Sequence, residues 1–250
     1  MEIEIIYILW LRQLKRYFRS KSRIIGSLGQ PLLFLLAFGF GFGSIFQKAG
    51  QGNYIEFLAP GIIAMSILFT AVFSGIEIIW DKQFGFLKET LVAPVSRLEI
   101  MLGRTLGGAT VAVFQGLIVL VISLFAGFKI ESTNMLLTAF FFMALIAILF
   151  TALGTAIASV LEDMQGFQLI VNFLIMPIFF LSGALFPIEG LPKTIAIITR
   201  INPLAYGIDG LRGALINNIH FGFATDFLVL GSLVVILMVV GSYLFSKIQI

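Results

Sequence analysis

Residues 81–104 read DKQFGFLKETLVAPVSRLEIMLGR, a stretch that carries both signs of charge between two long apolar segments. Elsewhere the chain is dominated by apolar residues: 59% of its 250 residues are hydrophobic and only 12% are charged. Ordinary soluble domains carry roughly 25% charged residues. The stretch, called the island below, therefore interrupts a chain whose composition indicates a membrane protein.

Six uncharged runs are long enough for the roughly 20 residues that a helix needs to cross a membrane. They are Ile24–Gln47, Phe57–Ile76, Thr105–Phe128, Ser132–Leu161, Met164–Ile188 and Phe227–Ser246. The alternating segments of about 10 residues that are typical of membrane barrels do not occur. The predicted fold class is an all-α membrane protein with six transmembrane helices, forming one domain over residues 1–250.

The distribution of basic residues predicts the orientation. With six spans both termini lie on one side, which carries eleven of the 16 Lys and Arg residues: Arg12, Lys15, Arg16, Arg19, Lys21, Arg23, Lys82, Lys88, Arg97, Arg104 and Lys247. The other side carries Lys48, Lys129, Lys193, Arg200 and Arg212. Because cytoplasmic loops are enriched in Lys and Arg, we expect a multi-pass protein of the cell membrane with both termini and the island in the cytoplasm. The basic excess then reflects topology and anionic lipid rather than nucleic acid.

Residues 1–23 predict an amphipathic helix that lies on the membrane surface. At 100° per residue one face holds Ile3, Ile6, Tyr7, Trp10, Leu14 and Tyr17. The opposite face holds Arg12, Lys15, Arg16, Arg19 and Arg23. An apolar and aromatic face opposite a cationic one is typical of interfacial helices. The alternative is a basic flank that only sets the orientation.

Residues 187–226 form a second unusual region, which is apolar yet interrupted by Pro187, Pro192 and Pro203. Two segments in it, Leu191–Thr199 and Leu204–Ile216, each suit a short helix. Both are too short to cross the membrane, so they predict interfacial or re-entrant helices between the fifth and sixth spans.

The chain lacks the residue patterns of several functional classes. It has no cysteine and a single histidine, His220, so neither a thiolate metal site nor a nucleophile with its base is indicated. No glycine-rich phosphate loop ending in Lys-Ser or Lys-Thr occurs. No charge falls at the centre of a predicted span, which argues against ion coupling. We expect no enzymatic activity and no bound cofactor, and any energy for transport must come through another protein.

Three sequence blocks together resemble the type-2 ABC exporter permeases, a family that includes antibiotic-resistance, nodulation-factor and capsular-polysaccharide export permeases. The blocks are GFLKETLVAPVSR at residues 85–97, FLSGALFPI at residues 180–188 followed by Leu191-Pro192, and NPLAYGIDGLR at residues 202–212. They occur in the family's order, with six spans and an amphipathic start. The resemblance therefore covers essentially the whole chain.

The resemblance implies a permease that pairs with a second permease copy, as a homodimer or heterodimer, and with two separate ATP-binding subunits that hold ATP and Mg. It implies that the island forms a coupling helix seated in a cleft of the ATPase. The coupling residues would be Gly85, Phe86, Lys88, Glu89, Leu91, Val92, Ala93, Pro94 and Val95. The helix would end near Ala93, because the residue before a proline disfavours helix.

The second and third blocks would form the paired re-entrant helices that close the pathway on the outer side. The implied gate residues are Phe186, Pro187, Asn202, Pro203, Tyr206, Asp209 and Arg212. The entry Asp81-Lys82-Gln83-Phe84 is less rich in arginine than in some family members, which leaves the salt bridges to the ATPase undefined.

The function expected from all of this is ATP-driven export of an amphipathic, drug-like, lipid-linked or polysaccharide substrate. Two alternatives stand beside it. One is an ion-coupled secondary carrier or channel that works without an ATPase, and the other is a membrane scaffold that transports nothing.

Overall fold

A computed structural model describes residues 3–48, 53–86, 95–188 and 192–247. The elements in these ranges are helical, in agreement with the all-α class. The helices are α1 Ile3–Arg19, α2 Lys21–Lys48, α3 Tyr54–Phe73, α4 Ile76–Gln83, α5 Arg97–Phe125, α6 Leu136–Val160, α7 Met164–Phe180, α8 Lys193–Ile201, α9 Pro203–Ile216 and α10 Phe223–Ser246. A single 3₁₀ turn, Thr133–Met135, precedes α6.

Within the described residues, five helical stretches are long and apolar enough to cross a membrane: Lys21–Gly43, Tyr54–Gln83, Arg97–Phe125, Thr133–Val160 and Phe223–Ser246. The predicted fifth span, Met164–Ile188, is wrong as one continuous helix, because α7 ends at Phe180 after 17 residues. There the Ser182 hydroxyl donates to the Phe179 carbonyl. Gly183 then adopts a φ of 76°, a left-handed conformation that glycine tolerates and that turns the chain after the helix has ended.

The membrane-spanning helices run through one bundle in alternating directions, with α3 and α4 together forming one crossing. At the end where α4 stops and α5 begins, the island end, the Lys82 Nζ donates to the carbonyls of Ala158, Ser159 and Leu161 at the end of α6. The last turns of α10 reach the same end, since Gly241 packs against Met101. The described parts of both chain ends therefore lie at the island end, as an even number of crossings requires.

The opposite end of the bundle, the far end, is where α3 begins. The Tyr54 hydroxyl there donates to the Leu185 carbonyl at 2.8 Å. The backbone N–H of Glu131 donates to the carbonyl of Leu215 at 2.9 Å. The 17 residues of α7 cover about 26 Å at 1.5 Å per residue. Residues 181–185 then complete its path from the island end to the far end.

Helices α3 and α4 form the centre of the bundle, since 78% of an apolar 18-residue stretch within Tyr54–Gln83 is buried, against 17% of the corresponding stretch in α2. The two helices are separated by a break at Ser74-Gly75. A Cβ added to Gly75 would overlap the carbonyl of Gly154, and one added to Gly154 would overlap the carbonyl of Val72. The backbones of α3 and α6 therefore touch at this break, and only glycine fits there.

Helix α1 packs along the first half of α5. Its buried stripe is Leu9, Gln13 and Tyr17. Gly103 and Gly107 make room for it, since a Cβ at either position would meet Leu9 or Gln13 at 2.6–2.8 Å. This stripe shares only Tyr17 with the apolar face predicted for the helix. Ile3 and Tyr7 of that face are 73% and 54% exposed.

The two short helices predicted between the fifth and sixth spans are α8 and α9. Asn202 starts α9 by accepting the backbone N–H of Leu204 at 3.0 Å, and Pro203 occupies the first helical position, where its missing N–H costs nothing. Eleven residues of α9 are buried. It is therefore an internal element of the far end, packed against α3, α6 and α10.

Candidate functional site

Six charged side chains from four helices meet at the island end. They are Arg12 and Arg16 of α1, Arg23 of α2, Glu77 and Asp81 of α4, and Arg104 of α5. We call this group the charge cluster. Burying a charge is energetically unfavourable unless the charge is paired and hydrogen-bonded. Removing a central member of the cluster would therefore leave its partner as an unpaired buried charge.

Asp81 is the centre of the charge cluster, with a side chain that is 5% exposed. One carboxylate oxygen accepts a 3.0 Å bond from Arg12 Nη2, and the other accepts a 2.6 Å bond from Arg104 Nη2. Arg16 lies 3.6 Å from the first of these oxygens. The Arg104 side chain is 2% exposed, so this pair lies inside the protein. Through one carboxylate, α4 is joined to both α1 and α5.

Glu77 repeats the arrangement one helical turn earlier. It pairs with Arg23 at 2.5 Å and lies 3.7 Å from Arg16. The arginines of the cluster outnumber its acids by four to two, which gives a local charge of +2. Arg12, Arg16 and Arg23 are each about a third exposed, so the surplus charge can be hydrated.

The described ends of the island are attached to this cluster. On the entry side Gly85 takes a φ of 78° just after α4, and the ring of Phe86 lies 3.8 Å from the Arg12 guanidinium. On the exit side Ser96 and Glu99 form a capping box that starts α5. A movement of α4 or α5 would therefore directly displace the points where the chain enters or leaves the island.

Three of the nine predicted coupling residues are described by the structure. Gly85 and Phe86 lie at the entry, and Val95 packs partly against the apolar core. The other six lie outside the described residues: Lys88, Glu89, Leu91, Val92, Ala93 and Pro94. Their docking role stays a prediction.

Tyr17 extends the contact of α1 toward the membrane. It is 1% exposed, and its hydroxyl donates to Gln115 Oε1 of α5. Burial raises the pKa of the Tyr17 phenol above its ordinary value of 10.0, against smaller opposite effects of Ser27 and Arg23. A neutral hydroxyl, able to donate, is the form that this contact requires.

The charge cluster is not predicted from the sequence, which assigns Arg12 and Arg16 to the cationic face of a surface helix. A usable signal was present. Glu77 and Asp81 stand four apart, as do Arg12 and Arg16, so each pair shares a helix face. Two acids at the end of an apolar helix and two arginines on an amphipathic one are complementary.

At the far end the predicted gate residues fall into two groups. The first group lies at the start of α9 or within it. Asn202 Nδ2 donates to the Ile178 carbonyl at 2.6 Å, and the Tyr206 hydroxyl donates to the Arg200 carbonyl at 2.6 Å. Pro203 begins the helix between them.

Arg212 and Asp209, also on α9, are 5% and 4% exposed. Arg212 Nη2 donates to the carbonyl of Gly183 at 2.8 Å and also reaches those of Ala184 and Phe57. Asp209 accepts the backbone N–H groups of His220 and Phe221. Together they fasten the turn after α7 and the turn before α10 to the buried helix α9.

The second group, Phe186 and Pro187, lines an apolar cavity of about 450 Å³ between α2, α3 and the end of α7. The other lining residues are Phe38, Phe42, Ile45, Phe46, Tyr54, Phe180 and Leu185. Aromatic side chains dominate this cavity. Its chemistry suits an apolar chain or ring rather than a hydrated ion.

No metal site is indicated in the described part of the chain, where no three His, Asp or Glu side chains converge. The main polar contacts are ion pairs between side chains at the island end and hydrogen bonds from side chains to the backbone at the far end. Both are suited to holding or moving helices.

The family model described as ABC-2 type transporter matches residues 4–216. The chain belongs to the ABC-2 type transporter family. It is 29% identical over 262 residues to the putative transport permease ycf38 of Cyanophora paradoxa, covering 98% of this chain and 89% of that protein. It is also 29% identical over 214 residues to nodulation protein J of Rhizobium leguminosarum bv. trifolii, covering 85% of this chain and 79% of that protein. Membership makes this chain a permease of the transporter and a multi-pass membrane protein that works with ABC ATP-binding subunits.

Proposed function

We propose that this ABC-2 permease exports an amphipathic substrate from the cytoplasm and receives its energy through the island, which docks on a separate ATPase subunit. The observation that carries the proposal is the position of Asp81 between Arg12 and Arg104. The chain enters the island directly after α4, so a force applied to the island reaches α1 and α5 through this carboxylate.

The complex would contain two permease copies and two ATPase subunits, with ATP and Mg held by the ATPases. In each permease α7 would serve as the sixth crossing, since it runs from the island end to the far end. The excess of basic residues supports a cytoplasmic island end. The termini, the charge cluster and the coupling helix would then share one side of the cell membrane.

Transport follows from the same arrangement. ATP-driven closure of the ATPases would move the two islands together, and each charge cluster would pass the movement to α1 and α5. The far-end helices α8 and α9 would close the outer mouth of the pathway. The aromatic cavity beside α2 supports an amphipathic substrate whose apolar part is accommodated there.

Substitutions in the island test the proposal. Val92→Arg and Glu89→Lys are expected to lower transport per ATP hydrolysed at least tenfold while the permease still assembles in the membrane. Substrate-stimulated ATPase activity and transport are measured in vesicles that contain the copurified complex. Glu131→Lys, a charge reversal on an exposed far-end residue, is the matched control. Normal coupling in both island variants, or a permease that binds no ATPase, would refute the docking role.

A further inference from the structure

Two aspartates from different helices are buried together at the far end, outside the charge cluster. Asp209 of α9 is 4% exposed, and Asp226 in the first turn of α10 is fully buried. Neither carboxylate oxygen of Asp226 has a hydrogen-bond partner among the described residues. Helices α9 and α10 pack on each other, and the Asp226 side chain lies within hydrogen-bonding reach of the Asp209 carboxyl group if one of the two carries a proton.

The two carboxyl groups have different surroundings. Asp209 accepts the N–H of His220 at 2.8 and 3.0 Å and the N–H of Phe221 at 2.7 Å. Backbone donors of this kind favour the ionised form of a carboxyl group, while burial without donors favours the neutral form. Asp226 is therefore the carboxyl group suited to hold a proton and to donate it to Asp209.

The ionisable groups on the elements around the pair lie mainly outside α5 and α6. Helix α6 packs on both α9 and α10 and contains no ionisable residue. Helix α5 also contacts α10, but its charged residues lie in its first turns at the island end. Around α9 the remaining ionisable groups are Glu56 and Tyr54 of α3, Lys193 and Arg200 of α8, Lys129, Glu131, Tyr206, Arg212 and His220. Of these, Arg212 is directed at the carbonyls of Phe57, Gly183 and Ala184.

We propose that Asp209 and Asp226 form a proton-binding site that holds one proton between them and fastens the start of α10 and residues 217–222 to α9. In the closed form the O–H of Asp226 donates to the carboxylate of Asp209. When that proton leaves to water, two carboxylates face each other in a buried site. Their repulsion loosens the turn that carries His220 and Phe221.

The pH dependence has a definite sign. The closed form binds one proton more than the open form, in which both carboxyl groups are hydrated and ionised at neutral pH. The closed form is therefore favoured at lower pH, and the ratio of closed to open falls up to tenfold for each pH unit over the range in which the closed form keeps the proton and the open form has lost it.

Amide hydrogen exchange tests this site in the full-length protein in lipid nanodiscs. Protection of the His220 and Phe221 amides, corrected for the intrinsic pH dependence of exchange, is measured between about pH 5 and about pH 9. We expect wild-type protection to fall as the pH rises. Asp226→Asn supplies a neutral N–H donor to Asp209 and should make protection independent of pH. Glu131→Gln, which neutralises an exposed far-end carboxyl, should behave as wild type.

Three results would overturn the site. One is wild-type protection that does not change with pH, and another is an Asp226→Asn variant with the wild-type slope. The third is recovery of protection at alkaline pH with sodium or calcium chloride but not with choline chloride, which would assign a metal cation to the pair. If Asp226→Asn does not fold, infrared spectroscopy of the wild type decides. A carboxylic-acid carbonyl band at neutral pH that disappears on alkalinisation supports the proposal, and its absence contradicts it.

Discussion

The island end and the far end both bury charged groups but neutralise them differently. At the island end Glu77 and Asp81 pair with arginine side chains from three other helices. At the far end Arg212 donates to backbone carbonyls and Asp209 accepts from backbone amides. Ion pairs between side chains can exchange partners when helices shift, whereas bonds to the backbone hold one local conformation. The difference assigns the adjustable contacts to the end nearest the island.

The largest effect is expected from breaking the centre of the charge cluster. Asp81→Leu leaves the buried Arg104 guanidinium without its carboxylate, which typically costs about 3–5 kcal/mol of stability. Thermal unfolding of the purified protein measures the loss. Arg104→Met added to Asp81→Leu should recover much of it, because no unpaired buried charge then remains. Arg12 is about a third exposed and can be hydrated.

Glu131→Gln serves as the control for this series, since Glu131 is exposed. If the double variant is no more stable than Asp81→Leu alone, lost packing rather than unpaired charge explains the effect. The ion pairs would then not distinguish the stability of the island end from that of the far end.

A smaller loss is expected from the arginine that holds the far end. Arg212→Lys keeps the charge but replaces a planar fork with a single ammonium, which cannot bond the separate carbonyls of Gly183, Ala184 and Phe57 in the same way. We expect a loss of about 1–3 kcal/mol. Arg200→Lys on exposed α8 is the matched control in the same thermal unfolding assay. Equal stability of the two variants would show that Arg212 acts by charge alone.

The smallest effect concerns Tyr17 and appears mainly in alkaline solution. Its pKa is raised by burial, so the folded protein keeps the phenolic proton at a pH where the unfolded chain has lost it. The contribution of Tyr17 to the free energy of unfolding is present below about pH 10 and declines as the pH rises above that value. Tyr17→Phe should cost about 0.5–1.5 kcal/mol at neutral pH and remove this alkaline decline. Tyr243→Phe, at an exposed position, is the matched control, and a decline in Tyr17→Phe identical to that of the wild type would contradict the assignment.

Helix placement could be predicted well because it depends on local signals. Long apolar runs predict the spans, and Asn202-Pro203 combines a side-chain cap with a residue suited to the first helical position. The end of α7 was missed because hydropathy counts Ser182 and Gly183 as compatible with a span. Their hydrogen bond and positive φ turn the chain at that point.

The charged contacts could not be predicted because their partners are distant in sequence. Asp81 meets Arg12 and Arg104 only after α1 has packed along the glycines of α5. Asp226 was placed outside the last span, since a run of uncharged residues begins at Phe227. The structure begins α10 at Phe223 and thereby draws Asp226 into a buried first turn.

The contact between Gly75 and Gly154 has a geometric consequence for the island. Because the backbones already touch there, α4 cannot approach α6 at that point and can only turn about it or separate. Gln83, eight residues further on, is about 12 Å away along a helix axis. A rotation of about 10° at this pivot would displace the start of the island by about 2 Å. The position of the Gly75–Gly154 contact thus determines how far the start of the island moves for a given rotation of α4.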